Sequence, residues 1–224
     1  MTSPERTGAR RFDPFDGAPR LNGARRVGIR PGTELIHAIA ATGGRPLQID
    51  VEGLPEGIDL VDGVLRGVAP DLEGTHTLGV SLSNAHGSVE TTIELVVGRK
   101  LALTPPMGWN SWNVYGEDVS AEVILRTAEA MVASGMRDLG YQYVNIDDCW
   151  MKKQGERPYR DANGAILPNT KFPDIQGMVD YIHAKGLKAG LYTSPGPWTC
   201  AKHVGSYQHE KIDARKFAEW GFDF

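Results

Sequence analysis

The chain has 224 residues, a formal net charge of -4 from 24 Lys and Arg against 28 Asp and Glu, and 41% apolar residues. Those proportions are ordinary for a globular protein of one large or two smaller domains, and mild acidity without a clustered basic face argues against a nucleic-acid partner. The 2 cysteines exclude a disulfide scaffold, and no apolar run approaches the length that crosses a bilayer.

Residues 1–19 are polar, with Pro, Gly and Arg scattered among them, and read as an irregular lead-in. Arg10, Arg11, Arg20, Arg25 and Arg26 make the chain as far as Arg26 locally basic, but Asp13 and Asp16 interrupt them, so a solvated tail is expected. The opening MTSPERTGARRFDPFDG lacks the apolar core of a secretory signal, which leaves the localisation open: an intracellular protein, or a start that lies upstream.

Residues 20–98 change texture to short alternating runs divided by Gly, Pro and Asn. Strands are expected at Ala24–Ile29, Glu34–Ile39, Leu47–Val51, Val64–Gly67, Gly74–Ser83 and Val89–Val97. Such spacing predicts a small antiparallel β-sandwich. The run GLPEGIDLVDGVLRGVAPDLEGTHTLGVSLSNAHGS resembles immunoglobulin-like modules of bacterial surface and carbohydrate-active proteins, which implies a spacer or accessory role. The segment contains no Trp, which argues against its binding sugar.

From Leu101 the pattern becomes strand–helix alternation. A short strand at Met107–Trp109 precedes a helix at Ala121–Ser134, capped by Ser120 and stopped by Gly135. Tyr143–Ile146 reads as a buried strand and Asp174–Lys185 as a second helix with Ile175, Met178, Val179 and Ile182 on one face. Leu187–Tyr192 is the next strand, Asp213–Trp220 a third helix, and Gly221–Phe224 the start of another strand. Repeated βα units imply a parallel sheet, and long loops after the second and third strands suit the first part of a (β/α)8 barrel, truncated, over residues 101–224.

Asp147 and Asp148 close an apolar strand and precede a long loop. Ionised carboxylates are costly to bury without partners. They are therefore either solvated turn acids or, at the C-terminal end of a barrel strand, acceptors for substrate hydroxyls. Trp109 and Trp150 have flat apolar faces of the kind that stack on a pyranose ring, whereas Trp112 reads as core packing. Cys149, Cys200, His203 and His209 match no zinc spacing, so no metal is expected, and nothing calls for a cofactor.

TPPMGWNSWN at Thr104–Asn113, GYQYVNIDDCW at Gly140–Trp150, HAKGLKAGLYTSPGPWTC at His183–Cys200 and the late DARKFAEWGFDF together resemble family 27 of the glycoside hydrolases, the α-galactosidases. The resemblance implies a retaining glycosidase acting on terminal α-D-galactosyl groups of oligosaccharides or glycoconjugates. Related specificities are α-N-acetylgalactosaminides, β-L-arabinopyranosides and isomaltodextrins; a catalytically silent sugar-binding piece is the alternative from another class. It further implies that Asp147 and Asp148 take the hydroxyls at C4 and C6 of galactose, with Trp109 and Tyr192 lining the pocket. Retention needs two carboxyl groups about 5–5.5 Å apart. The resemblance places the nucleophile and the acid/base beyond Phe224, so none of the catalytic carboxylates is assigned here, and Asp223 is not the nucleophile. It also places the disulfide partner of Cys200 beyond Phe224 and leaves Cys149 without its usual partner, the matching segment reading VYGED.

Overall fold

The computed structural model describes residues 15–224. The residues from Met1 to Pro14, which hold most of the expected lead-in with Arg10 and Arg11, lie outside the described residues. In chain order the strands of the first part are β1 (Arg20–Leu21), β2 (Arg26–Ile29), β3 (Glu34–Ala38), β4 (Ala41–Thr42), β5 (Gln48–Glu52), β6 (Ile58–Val61), β7 (Val64–Val68), β8 (Gly74–Asn84) and β9 (Gly87–Val97). β10 (Gly108–Asn110), α1 (Trp112–Tyr115), α2 (Ala121–Ala133), β11 (Tyr143–Ile146), α3 (Ile175–Ala184), β12 (Lys188–Leu191) and α4 (Glu210–Glu219) follow.

Two larger sheets make most of the first part, a four-stranded one in the order β2-β9-β8-β5 and a three-stranded one in the order β3-β7-β6, with β1 and β4 paired antiparallel as a short two-stranded sheet. Alternate side chains of both, among them Leu35, Ile58, Leu65, Leu78, Leu82 and Leu95, meet in one apolar interior. One pairing departs from the expected antiparallel pattern, for β2 runs parallel to β9. A parallel neighbour needs a long crossover, and the chain from β3 to β8 supplies it. β6 is too short to stand out in the sequence, and pairing with β7 along Ile58–Val61 makes it a strand. Residues 15–19 form turns and bends without helix or strand, yet they are anchored: the Gly17 carbonyl accepts from Asn84 Nδ2 (2.8 Å) and from Gly44 N–H (2.9 Å).

The second part is a parallel sheet β10-β11-β12 whose helices cover one face. Val144, Ile146 and Ala189 of the sheet pack against Ile124, Ala128 and Met131 of α2 and Met178, Val179 and Ile182 of α3. Both helices begin where a side chain can satisfy a free backbone N–H. Ser120 Oγ accepts from Val123 N–H at 3.4 Å, and Asp174 Oδ1 from Gly177 N–H at 2.9 Å. α4 begins at Glu210, three residues before its expected start at Asp213. The expected strand at Gly221–Phe224 is present only as two ladder bonds to β12, Asp223 N–H to Ala189 O (2.9 Å) and Leu191 N–H to Phe224 O (2.8 Å).

The two parts are in contact. Gln142, buried, donates through Nε2 to Ala38 O at 2.7 Å, Arg66 Nη2 to His183 O at 2.6 Å, and Arg45 pairs with Asp138 at 2.6 Å. Gly186 ends α3 at φ +71, where a Cβ would approach Val64 Cγ2 to 2.7 Å, so both the turn and the contact require glycine. His37, 6% exposed on β3, lies near Lys188 of β12. Burial first, and the Lys188 ammonium second, hold its imidazole down at about 3.

Candidate functional site

Parallel pairing brings the ends of β10, β11 and β12 to one side, so the residues that follow them share one rim. Asn110, Asp147 and Tyr192 all stand there. The register matches Trp109 with Val144 and Asn110 with Asn145. Paired residues of neighbouring strands point to the same face of a sheet, and alternate residues to opposite faces. Trp109 therefore shares the helix-covered face of Val144, where it is half-buried and meets Tyr115 edge-on at 6.1 Å. Asn110 and Asn145 share the other face. There Asn145 Oδ1 is buried without a hydrogen-bond partner among the described residues, and the opposite residue on β12 is Gly190, where a Cβ would lie 2.0 Å from that oxygen.

Asp147 is held from three sides. Its N–H donates to Ser111 Oγ (3.0 Å), its Oδ2 accepts from Asn110 Nδ2 (2.9 Å), and its Oδ1 accepts from the N–H of Asp148 (2.8 Å). Asn110 Oδ1 in turn accepts from Trp112 N–H at 2.9 Å. The side chain of Asp147 is half-buried and keeps acceptor capacity toward the rim. Asp148 is different: at 2% exposure its Oδ1 accepts from Cys149 N–H (2.7 Å) and its Oδ2 from Ala201 N–H (3.1 Å). The two carboxylates are thus unequal, one facing the rim and one embedded between the loops after β11 and β12.

Tyr192 continues β12, donating its N–H to Ile146 O (2.9 Å) and accepting Trp150 Nε1 on its carbonyl (2.8 Å). Burial pushes its phenol up, and the negative charges of Asp148, Cys200, Asp147 and Cys149 raise it further. Trp150 has no face for a ligand: it is fully buried, edge-on to Phe217 at 5.7 Å and Trp220 at 6.0 Å. Trp112, read from the sequence as core, is 40% exposed. The reason is positional, since α1 starts just past the end of β10 and lifts the indole off the packed face.

The rim is knitted by the loops. Val204 N–H donates to Lys152 O (2.9 Å), Gln154 N–H to Lys202 O (2.8 Å), and Lys153 pairs with Glu117 at 2.6 Å. Arg160 bonds both oxygens of buried Asp213 (2.7 and 3.0 Å) and the Gly164 and Gly205 carbonyls (2.8 and 2.7 Å), joining two loops to α4. Cys149 sits at φ +77, uncommon for a residue with a side chain. Its carbonyl accepts from Asn169 Nδ2 (2.8 Å), and its thiol is held up at about 12 by burial first, then by Asp148 and Glu117. His203 comes within 3.8 Å of Asp148, whereas His209 turns its Nδ1 to Tyr207 O at 3.0 Å and Cys200 is exposed. Sequence reasoning missed Asn110, Ser111 and Ala201, and it weighed His203 only beside Cys200 and His209, not beside Asp148. The N and S of NSW were the available signal, because small polar residues just after a strand are placed to bond the next strand's end.

Residues 104–224, more than half of the chain, match the family model described as Alpha galactosidase A. The chain belongs to this α-galactosidase family. An α-galactosidase of Cyamopsis tetragonoloba is 49% identical over 127 residues, covering 55% of this chain and 30% of that protein. A crystal structure of a candidate α-galactosidase from Bacteroides fragilis superposes with a TM-score of 0.87 at 41% identity, over 95% of this chain and 45% of that one. The α-galactosidase of Saccharomyces cerevisiae with raffinose superposes with a TM-score of 0.51 at 38% identity, over 55% of this chain and 26% of that one. The chain thus spans less than half the length of each. No helix among the described residues is long and apolar enough to cross a membrane.

Proposed function

We propose that this chain supplies one wall of the sugar site of a retaining glycoside hydrolase that removes terminal α-D-galactosyl groups from oligosaccharides or glycoconjugates. The observation that carries the reading is Asp147, fixed by Asn110, Ser111 and the Asp148 N–H at the end of β11 with acceptor capacity left for a sugar hydroxyl. A carboxylate that its neighbours have already oriented loses little entropy when a hydroxyl binds. Asp148 backs it, and Tyr192 closes the side next to β12. Of the two tryptophans, Trp112 has the accessible face for the pyranose ring, and Trp109 supports it from the packed side. Membership of the α-galactosidase family and the raffinose bound to the yeast neighbour support the substrate class.

Residues 101–224 form the first part of a (β/α)8 barrel in this reading, and residues 20–98 an immunoglobulin-like accessory module. The parallel βα order supports the first assignment and the two facing sheets the second. The carboxylates that break the glycosidic bond are supplied from outside these residues. The test is hydrolysis of matched aryl glycosides by the whole protein, with the anomer of the first product followed by NMR. Turnover of the α-galactoside with release of α-galactose is expected. Preference for the α-N-acetylgalactosaminide or the β-L-arabinopyranoside, or initial release of β-galactose, overturns the proposal.

A further inference from the structure

We propose that Asp148, Cys149 and His203 form a binding site for a borderline-soft divalent cation of the zinc class. Their ligand atoms lie within 4.8 Å of one another, and all three residues are buried. His203 is 4% exposed, and its Nδ1 has no hydrogen-bond partner among the described residues, although it stands 3.8 Å from Asp148 Oδ1. A buried ring nitrogen left without a partner is costly, and such an orphan asks for one. A cation answers it while keeping the imidazole neutral, the form that ligates metals.

The rest of the geometry agrees. A tetrahedral zinc with nitrogen and sulfur ligands sets them about 3.5 Å apart; the Asp148–His203 pair is already at 3.8 Å, and no pair of the trio is wider than 4.8 Å. Asp148 is already oriented by the N–H groups of Cys149 and Ala201, the outer support a ligating carboxylate requires. Cys149 is held by Asn169 in its left-handed conformation. Cys200 and His209 do not join the trio, and Asp148, which a zinc spacing of Cys and His does not include, takes their place. One carboxylate, one thiolate and one neutral imidazole supply three ligands and two negative charges, and a water fills the fourth position. When the metal–sulfur bond forms, the thiol proton leaves to solvent, so each ion bound releases one proton. Nearby Lys153 is paired with Glu117, which offsets its repulsion of the ion. Hard oxygen-seeking cations such as Mg2+ are disfavoured by the thiolate.

The test is titration of the whole protein, stripped with chelator, with Co2+ and Zn2+. One Co2+ per chain with a thiolate-to-cobalt charge-transfer band, displaced by Zn2+, is expected. Cys149→Ala should abolish the band, and His203→Gln should weaken Zn2+ binding at least about tenfold. Absence of the band in the wild type, or its persistence in Cys149→Ala, overturns the proposal. Should either variant fail to fold, the wild type decides alone: bound Zn2+ must slow maleimide labelling of Cys149, read by peptide mass, under mild denaturant. Equal labelling with and without Zn2+ overturns it.

Discussion

Acid should weaken this fold through one histidine. His37 sits at the contact between the sandwich and the parallel sheet, 6% exposed, with its imidazole held at about 3 against an ordinary 6.5. Its folded pKa is depressed, so the neutral form is the one the fold accepts. The unfolded chain takes up a proton below about pH 6.5 and the folded chain does not until about pH 3. Stability is therefore unaffected above pH 7 and falls with pH through that window, by about 1.4 kcal/mol per unit once the unfolded imidazole is fully charged. From pH 7 to pH 5 the loss from this residue is about 2 kcal/mol, or about 4–8 °C in Tm for a chain of this size. The assay is urea unfolding of wild type and His37→Gln at both pH values. Carboxylates contribute alike to both proteins, so their difference isolates the imidazole. The variant should lose about 2 kcal/mol less than the wild type on acidification. Equal pH dependence in the two proteins would refute the reasoning.

Arg160→Ala should be among the most damaging surface-distant changes, since it strands the buried carboxylate of Asp213 and two carbonyls. Breaking a buried pair from one side costs about 3–5 kcal/mol, and calorimetry should show Tm falling by about 6–20 °C. Gln142→Leu removes the donor to Ala38 O across the contact between the two parts; a loss of about 1–3 kcal/mol in chemical unfolding is expected. The 224-residue polypeptide expressed alone should turn over no aryl α-galactoside, because the carboxylate pair of a retaining enzyme is not among its assigned residues. Activity in a preparation free of host enzyme would show that assignment to be wrong.

The elements legible in the sequence were those whose ends carry their own chemistry. Tyr143–Ile146 is a β-branched and aromatic run followed by charged residues, and its ends coincide with the observed strand. Ser120 announces a helix because its side chain accepts a first free N–H group, and the helix expected from Asp174 starts one residue later because Asp174 is itself the cap. What escaped depends on partners distant in the chain. Ile58–Val61 becomes a strand because β7 lies beside it, and β2 runs parallel to β9 because a crossover intervenes. At the site, the Asp147–Asp148 pair could be singled out, but their unequal burial could not, since it depends on Ala201 arriving from the loop after β12. The roles of the tryptophans turned on register: one residue's difference along β10 separates the packed face of Trp109 from the face of Asn110.

The central claim is that Asp147 presents an oriented carboxylate to a galactosyl hydroxyl, and kcat/KM of the whole protein on an aryl α-galactoside tests it. Asp147→Asn keeps the size of the side chain and removes the charge. A hydrogen bond to a charged group contributes about 1.5–3 kcal/mol, so kcat/KM should fall about 10- to 150-fold, with circular dichroism and Tm close to wild type. A variant that folds normally and retains wild-type kcat/KM would contradict the account.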